Sequence, residues 1–448
     1  MEFLRDEANA ADSREESKIL EISLRCIVKA SDWDRFTFYA RPVRSFKDGH
    51  VSRERSVVYD ILATTFQHGT IFPRLEILDW FSIDLAVFHH VYLFLSPGIT
   101  SFHINFDFAP NSPIFAILPG KLPRLKHISI CGFSGFIPNS TISQFICVLR
   151  DLETLVIGAR NLDLQAFEHL SRLPRLRYLL LMSTEVPPLS PRPTDVPSFR
   201  ALRVFECESV AAAPMFLQRT GRSLVEFRIF VRCRGTCPTK RNLEELYAAL
   251  GSSCTHTLLE KITVQSPPNA QPINPAQLEL YVVSGDDLRK LFCFRNLVHV
   301  SLEHIVAVDM DDAVAVDMAR AWPCIEVLAS LCDTTHRITP RMTLEGVSAF
   351  AQHCPLLRRL SILFDATVVP KSKLPSGGTK QPRVTRFSQD RLTLLNVTYS
   401  SIGTKKQEWR RVAEFLRLIF PKLDEVRAAD AQALAMRKAW KEVSDELL

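Results

Sequence analysis

The chain has 448 residues, 46% of them apolar and 23% charged, with 27 prolines against 15 glycines. That balance is too apolar for a disordered chain, and the length exceeds one ordinary core, so several domains or one repeat array are expected. Net charge is +6 with Lys and Arg spread along the chain, which argues against a nucleic-acid partner, since that usually demands a dense basic face.

From the amino terminus, Met1 to Glu16 is acidic and polar and does not read as a secretory leader. Ile19 to Val28 is apolar, and an aromatic cluster follows at Trp33, Phe36, Phe38 and Tyr39. One phrase then recurs: a leucine, two residues, an apolar residue, one residue, another apolar residue. Clear copies start at Leu75, Leu125, Leu152, Leu176, Leu202, Leu224, Leu297, Leu357, Leu392 and Leu423, and weaker ones at Ile99, Leu259 and Ile325. The spacings, from the low twenties to the high thirties, fit leucine-rich units.

In Leu152-Glu153-Thr154-Leu155-Val156-Ile157 the last two apolar groups share one face of a short strand, with Leu152 packing beneath the turn. Burying three such groups contributes roughly 5–8 kcal/mol. Ordering about 25 residues costs more, at about 1–2 kcal/mol each, so a unit folds only when stacked. Helices are predicted between the phrases, at Asp163 to Leu173 and Thr343 to His353, and prolines such as Pro174, Pro323, Pro355 and Pro421 stop them before the next strand.

The expected fold is therefore α/β: an irregular leucine-rich-repeat solenoid of strand–helix units with a curved parallel sheet. A doubly wound sheet would show longer apolar strands and a Gly-rich first turn. The expected organisation is an amino-terminal segment and cap over 1–52, in which Trp33, Phe36, Phe38 and Tyr39 cover the first repeat, the solenoid over 53–428, and a capping helix over 429–448, with Leu434, Ala435, Trp440 and Val443 inward. Proline-rich insertions at Val186 to Ser198, Gln265 to Gln277 and Pro370 to Arg386 are expected to be loops. The usual asparagine-ladder position holds mixed residues, Arg160 and Asp365 among them.

Motifs for chemistry are weak. Asp309-Met310-Asp311-Asp312 matches an aspartate-rich phrase of protonating terpene cyclases, but it precedes Ala313 to Trp322, so Asp311 or Asp312 is expected to cap a helix. Cys233 and Cys237 have no second pair at ligand spacing; Cys254 and His256 are the nearest candidates. His89 and His90 lie in an apolar run, Ile83 to Leu95, that is too short to cross a bilayer and offers no carboxylate nearby. The eleven cysteines sit singly, as small buried hydrophobes in a reducing compartment, either cytoplasm or nucleus. The reading is a non-enzymatic binding protein with no cofactor, no metal and no membrane contact, expected to be monomeric.

Ser31-Asp32-Trp33-Asp34-Arg35-Phe36-Thr37-Phe38-Tyr39-Ala40-Arg41-Pro42-Val43-Arg44-Ser45-Phe46, followed by units of the Phe-Pro-Arg-Leu type, resembles fungal F-box proteins with leucine-rich repeats. So does Thr343 to Leu360. The resemblance implies the substrate-receptor part of an SCF-type ubiquitin ligase, whose repeats hold a target while an F-box docks the adaptor. The Leu-Pro-x-Glu-like opening of an F-box is not found, so adaptor binding is expected only if a box lies upstream. The alternative is a free-standing repeat scaffold or regulator. Residues between the inward positions should face outward on the concave side and hold a protein target. Lys126, Glu153, Arg177, Arg203, Arg228 and His299 are the candidates, with Arg177, Arg203 and Arg228 as anchors.

Overall fold

A computed structural model describes residues 30–48, 53–66, 69–82, 88–106, 114–132, 139–158, 162–182, 198–220, 223–231, 238–265, 275–303, 308–330, 339–370, 388–428 and 434–447. Fourteen strands form one parallel sheet. They are β1 (Ser45–Asp48), β2 (Ile77–Ser82), β3 (Ser101–Phe106), β4 (His127–Gly132), β5 (Thr154–Ile157), β6 (Tyr178–Leu181) and β7 (Val204–Cys207), followed by β8 (Glu226–Phe230), β9 (Lys261–Gln265), β10 (His299–Glu303), β11 (Val327–Ala329), β12 (Arg359–Ser361), β13 (Leu394–Thr398) and β14 (Glu425–Ala428). The strands lie side by side in chain order, β1 to β14, and the two ends of the sheet do not join. This is an open leucine-rich-repeat solenoid.

All thirteen repeated phrases lie on strands, β2 to β14. Strand β1 is a fourteenth copy that the pattern did not reveal. In Val43-Arg44-Ser45-Phe46-Lys47-Asp48 the last apolar position is held by Asp48, which is nevertheless buried.

The phrase makes a strand because its apolar positions alternate and stack between units. Leu155 is opposite Leu179, and Ile157 opposite Leu181, in adjacent strands. These side chains, with Leu152 and Leu176 at the turns beneath, are buried as expected. Where each strand begins, two successive amides share one carbonyl of the previous unit: Glu153 and Thr154 donate to Lys126, Arg177 and Tyr178 to Glu153, Arg203 and Val204 to Arg177. That repeated bond fixes register from unit to unit.

Among the described residues the helices of eight residues or more are α1 (Ala30–Ala40), α2 (Arg53–Thr65), α3 (Ile114–Lys121), α4 (Asn139–Val148), α5 (Leu164–Arg172), α6 (Ala213–Thr220), α7 (Lys240–Ser253), α8 (Asp312–Ala321), α9 (Leu344–His353), α10 (Lys406–Ile419) and α11 (Leu434–Leu447). Helix α5 starts where the side chain of Asp163 accepts the Ala166 amide at 2.8 Å and buries Ala166, Phe167 and Leu170. Neighbouring helices pack on each other, α4 with α5, α6 with α7, α8 with α9 and α10 with α11. Their apolar stripes and the inward strand residues form one continuous core.

Both ends differ in detail from expectation. In the aromatic cluster, Trp33 and Phe36 pack edge-on against each other and on Phe66 after α2. Phe38 and Tyr39 are exposed instead, and Phe38 falls on the face of α1 opposite Trp33 and Phe36. At the other end α11 buries Ala439, Trp440 and Val443 against β14 and α10. Leu434 and Ala435 are exposed, since they sit in the first turn, a full turn or more before the buried stripe begins.

The expected loops lie mostly outside the described residues, at 183–197, 266–274 and 371–387. Their edges do not: Ser198 and Pro370 lie in neither helix nor strand, Gln265 ends β9, and Pro275–Leu280 forms a 3-10 turn. Residues 1–29, Cys233, Cys237 and Arg160 also fall outside the described set. Asp365 accepts from the Ser401 hydroxyl at 2.8 Å and pairs through its strand with Ser401.

Candidate protein-binding face

The face of the sheet turned away from the inward rows carries three rows of side chains running from strand to strand. The first lies where each strand begins. Over β4 to β7 it reads Lys126, Glu153, Arg177, Arg203, and the shared-carbonyl bonds place these residues in consecutive order. Lys126 Nζ is 3.1 Å from Glu153 Oε1. The ammonium group's hydrogen bond, with the fields of His127 and Arg177, holds the Glu153 carboxyl below its ordinary range. Arg177 and Arg203 are exposed. The structure thus brings together four of the six candidate residues.

Arg228 is deeper and already engaged. Its guanidinium lies 2.6 Å from Glu226 Oε1 and 3.7 Å from Glu206 Oε2. Tyr178 donates to Glu206 Oε2 at 2.9 Å, and Lys261 stands 4.0 Å from Glu226 Oε2. Burial, and then the Glu206 charge, push the Tyr178 phenol far above its usual range, so it stays a donor. This network spans β6 to β9. His299, on β10, is half-buried and stands in register opposite Lys261, the last member of that network. Two outward positions between them, Val156 and Leu180, are buried rather than open.

Toward the amino-terminal strands, His103 Nε2 is 2.9 Å from Ser101 Oγ and 3.9 Å from Asp79 Oδ1. Both oxygens approach the same ring nitrogen, so the two-nitrogen relay of a Ser-His-Asp triad is not formed. His127 Nδ1 is 3.0 Å from Thr154 Oγ1.

The aspartate-rich phrase is spent on structure. Asp309 pairs with Arg341 at 2.7 Å, and Asp311 caps α8 by accepting the Val314 amide at 3.0 Å. Asp312 caps the next helix, α9, accepting from Thr343 N at 2.7 Å, Thr343 Oγ1 at 2.8 Å and Gly346 N at 3.0 Å. His90 has a carboxylate partner that the sequence reading missed, Asp60 of α2 at 3.2 Å, while burial holds its imidazole below the ordinary range. His89 is exposed. Cys254 is buried at the end of α7, its thiol pushed up to about 12, and His256 bonds the Gly251 carbonyl at 2.8 Å. Among the described residues no cluster of His, Cys, Asp or Glu is placed to hold a metal, and no helix is long and apolar enough to cross a membrane.

Sequence reasoning missed Tyr178 and Glu206, whose meeting depends on the register of β6 against β7. It also missed the arginines in the turns before the strands. A signal existed there, since Phe-Pro-Arg and Leu-Pro-Arg recur just before the repeat leucine.

No protein-family model matches the chain, and no curated protein matches it. Solved structures do. The leucine-rich repeat domain of APL1B is 12% identical with a TM-score of 0.30, over 87% of this chain and 95% of that one. A chain in the structure of the Rad7 and Elc1 complex in yeast is also 12% identical, with a TM-score of 0.34, over 84% of this chain and 92% of that one. The strand order and the repeated phrase carry the fold on their own: the chain is an α/β leucine-rich-repeat solenoid.

Proposed function

We propose that this chain is a protein-binding scaffold that holds its target on the helix-free, concave face of the sheet. The observation carrying this reading is the contiguous row Lys126, Glu153, Arg177, Arg203, which offers both charge signs at regular spacing beside the Tyr178–Glu206–Arg228 network. Mixed polar and apolar groups on a rigid sheet suit a folded protein or peptide. Helix α1 with its Trp33–Phe66 packing, and α11 over β14, serve as caps of the stack, which works as a monomer in the cytoplasm or nucleus.

Within that reading the chain is the substrate-receptor part of an SCF-type ubiquitin ligase. The support is the resemblance of Ser31 to Phe46 and Thr343 to Leu360 to fungal F-box repeat proteins. The first of these segments supplies nearly all of α1 and the first half of β1. A free-standing scaffold is the second reading. Affinity capture from cell extract tests the face: changing Arg177, Arg203 and Arg228 together to Glu should remove bound proteins that cross-link to the sheet, and an unaltered set overturns the assignment. Co-elution with a purified ligase adaptor, by a chain extended upstream, separates receptor from free-standing scaffold.

A further inference from the structure

The segments that lead into strands β4 to β7 carry a concentration of positive charge. Lys121 and Arg124 precede β4, Arg150 precedes β5, Arg172 and Arg175 precede β6, and Arg200 precedes β7. With Lys126, Arg177 and Arg203 of the adjoining row, nine cations occupy four consecutive units. Only Asp151, Glu153 and Glu168 oppose them in those segments, leaving a surplus of six, equal to the formal charge of the whole chain. The remainder of the molecule is neutral in sum. The same row over β8 to β11 reads Val225, Glu260, Val298, Glu326, with no cation at all.

We infer that this rim docks a carboxylate-rich peptide segment of a partner protein, an inference that rests on the scaffold reading and names its partner's chemistry. The rim's own acids show the mode: Arg175 holds Asp151 at 3.2 Å, Lys126 holds Glu153 at 3.1 Å and Arg172 holds Glu168 at 3.6 Å. Lys121, Arg124, Arg150, Arg200 and Arg203 make no such pair among the described residues, and all five are exposed. Seven of the nine cations are arginines, whose planar forks match carboxylates in bidentate geometry. Four strands at ~4.8 Å spacing span about 14 Å, the reach of four or five extended residues. A nucleic acid fits less well. Asp151 and Glu153 interrupt any phosphate track, and the large exposed aromatics, Phe38 and Tyr39, are on α1 rather than on this rim, so bases have no platform to stack on.

Fluorescence anisotropy with the full chain tests this, using a fluorescein-labelled dodecapeptide of alternating Glu and Ser, its Gln-for-Glu counterpart, and a twelve-residue oligothymidylate. The acidic peptide should bind saturably at physiological ionic strength, at least tenfold more tightly than either other probe. Changing Arg150→Glu, Arg200→Glu and Arg203→Glu together should weaken it at least tenfold. The charge-matched change Arg411→Glu, Lys438→Glu and Lys441→Glu, on α10 and α11, should alter it less than twofold. Circular dichroism confirms that both variants fold. Equal weakening by the two triples, tighter oligothymidylate, or no saturable peptide binding overturns the inference. Failure here with extract capture still sensitive to the face substitutions leaves the scaffold reading standing; insensitive capture with intact peptide binding removes the face assignment instead.

Discussion

Asp312 belongs to α8, yet its carboxylate receives the backbone and the hydroxyl of Thr343 and so fixes the start of the following helix, α9. The same carboxylate leaves no space beside Gly346, where an added Cβ would stand 2.5 Å from Asp312 Oδ1 and 2.6 Å from Met342 Cγ. Asp312→Ala should lower stability by about 2–3 kcal/mol, since several charge-assisted hydrogen bonds are lost at once. Asp311→Ala, which removes only a local cap, should cost about 1 kcal/mol. Urea midpoints of the two variants check the ranking, and equal losses would contradict it.

Leu179 lies in the inward row between Leu155 and Phe205, and is fully buried. Leu179→Ala should destabilise the chain by about 2–5 kcal/mol. A loss below 1 kcal/mol in equilibrium unfolding would mean that this row is not the core.

Trp440 closes the carboxyl-terminal end: its indole donates to the Ser400 carbonyl at 2.9 Å and meets the Phe364 ring edge-on. The same helix offers the Ser444 hydroxyl to the Val426 amide of the last strand at 3.3 Å. Trp440→Ala should cost about 3–5 kcal/mol. Removing 434–447 should in addition uncover the outer edge of β14 and promote self-association, read by light scattering. A truncated chain that stays monomeric with an unchanged Tm refutes the capping role.

Acidification should destabilise the fold through His103 and His127. Burial holds both imidazoles below their usual range; Asp79 and Glu153 oppose this, while His127 beside His103, and Lys126 beside His127, add to it. Above about pH 7 the groups are neutral folded or unfolded and contribute no pH dependence. As pH falls through about 6.5 the unfolded chain takes up protons first, so stability drops. Tm should therefore fall between pH 7.5 and 5.5, and His103→Asn with His127→Asn should flatten that slope. An unchanged slope would contradict the assignment.

The strands were legible because three apolar groups per unit repeat at fixed offsets, a local signal that needs no knowledge of the partner strand. Strand β1 escaped because Asp48 occupies an apolar position, and Phe38 and Tyr39 were misplaced because aromatic composition says nothing about helix phase. Asp312 capping Thr343 and Tyr178 meeting Glu206 join residues 31 and 28 apart, which depends on how units stack. The rim was hidden for the same reason: basic residues that look scattered along the chain gather once equivalent turns are brought side by side.

The unbroken order of the sheet, each strand beside its predecessor in sequence, has a consequence for how the molecule is made. No strand waits for a distant segment before it can pair, so a nascent chain emerging amino end first can lay down each unit on the one already in place. Stalled synthesis would leave a shorter stack with one bare edge rather than a tangled intermediate, and α11 can pack on β14 only once that strand is in place.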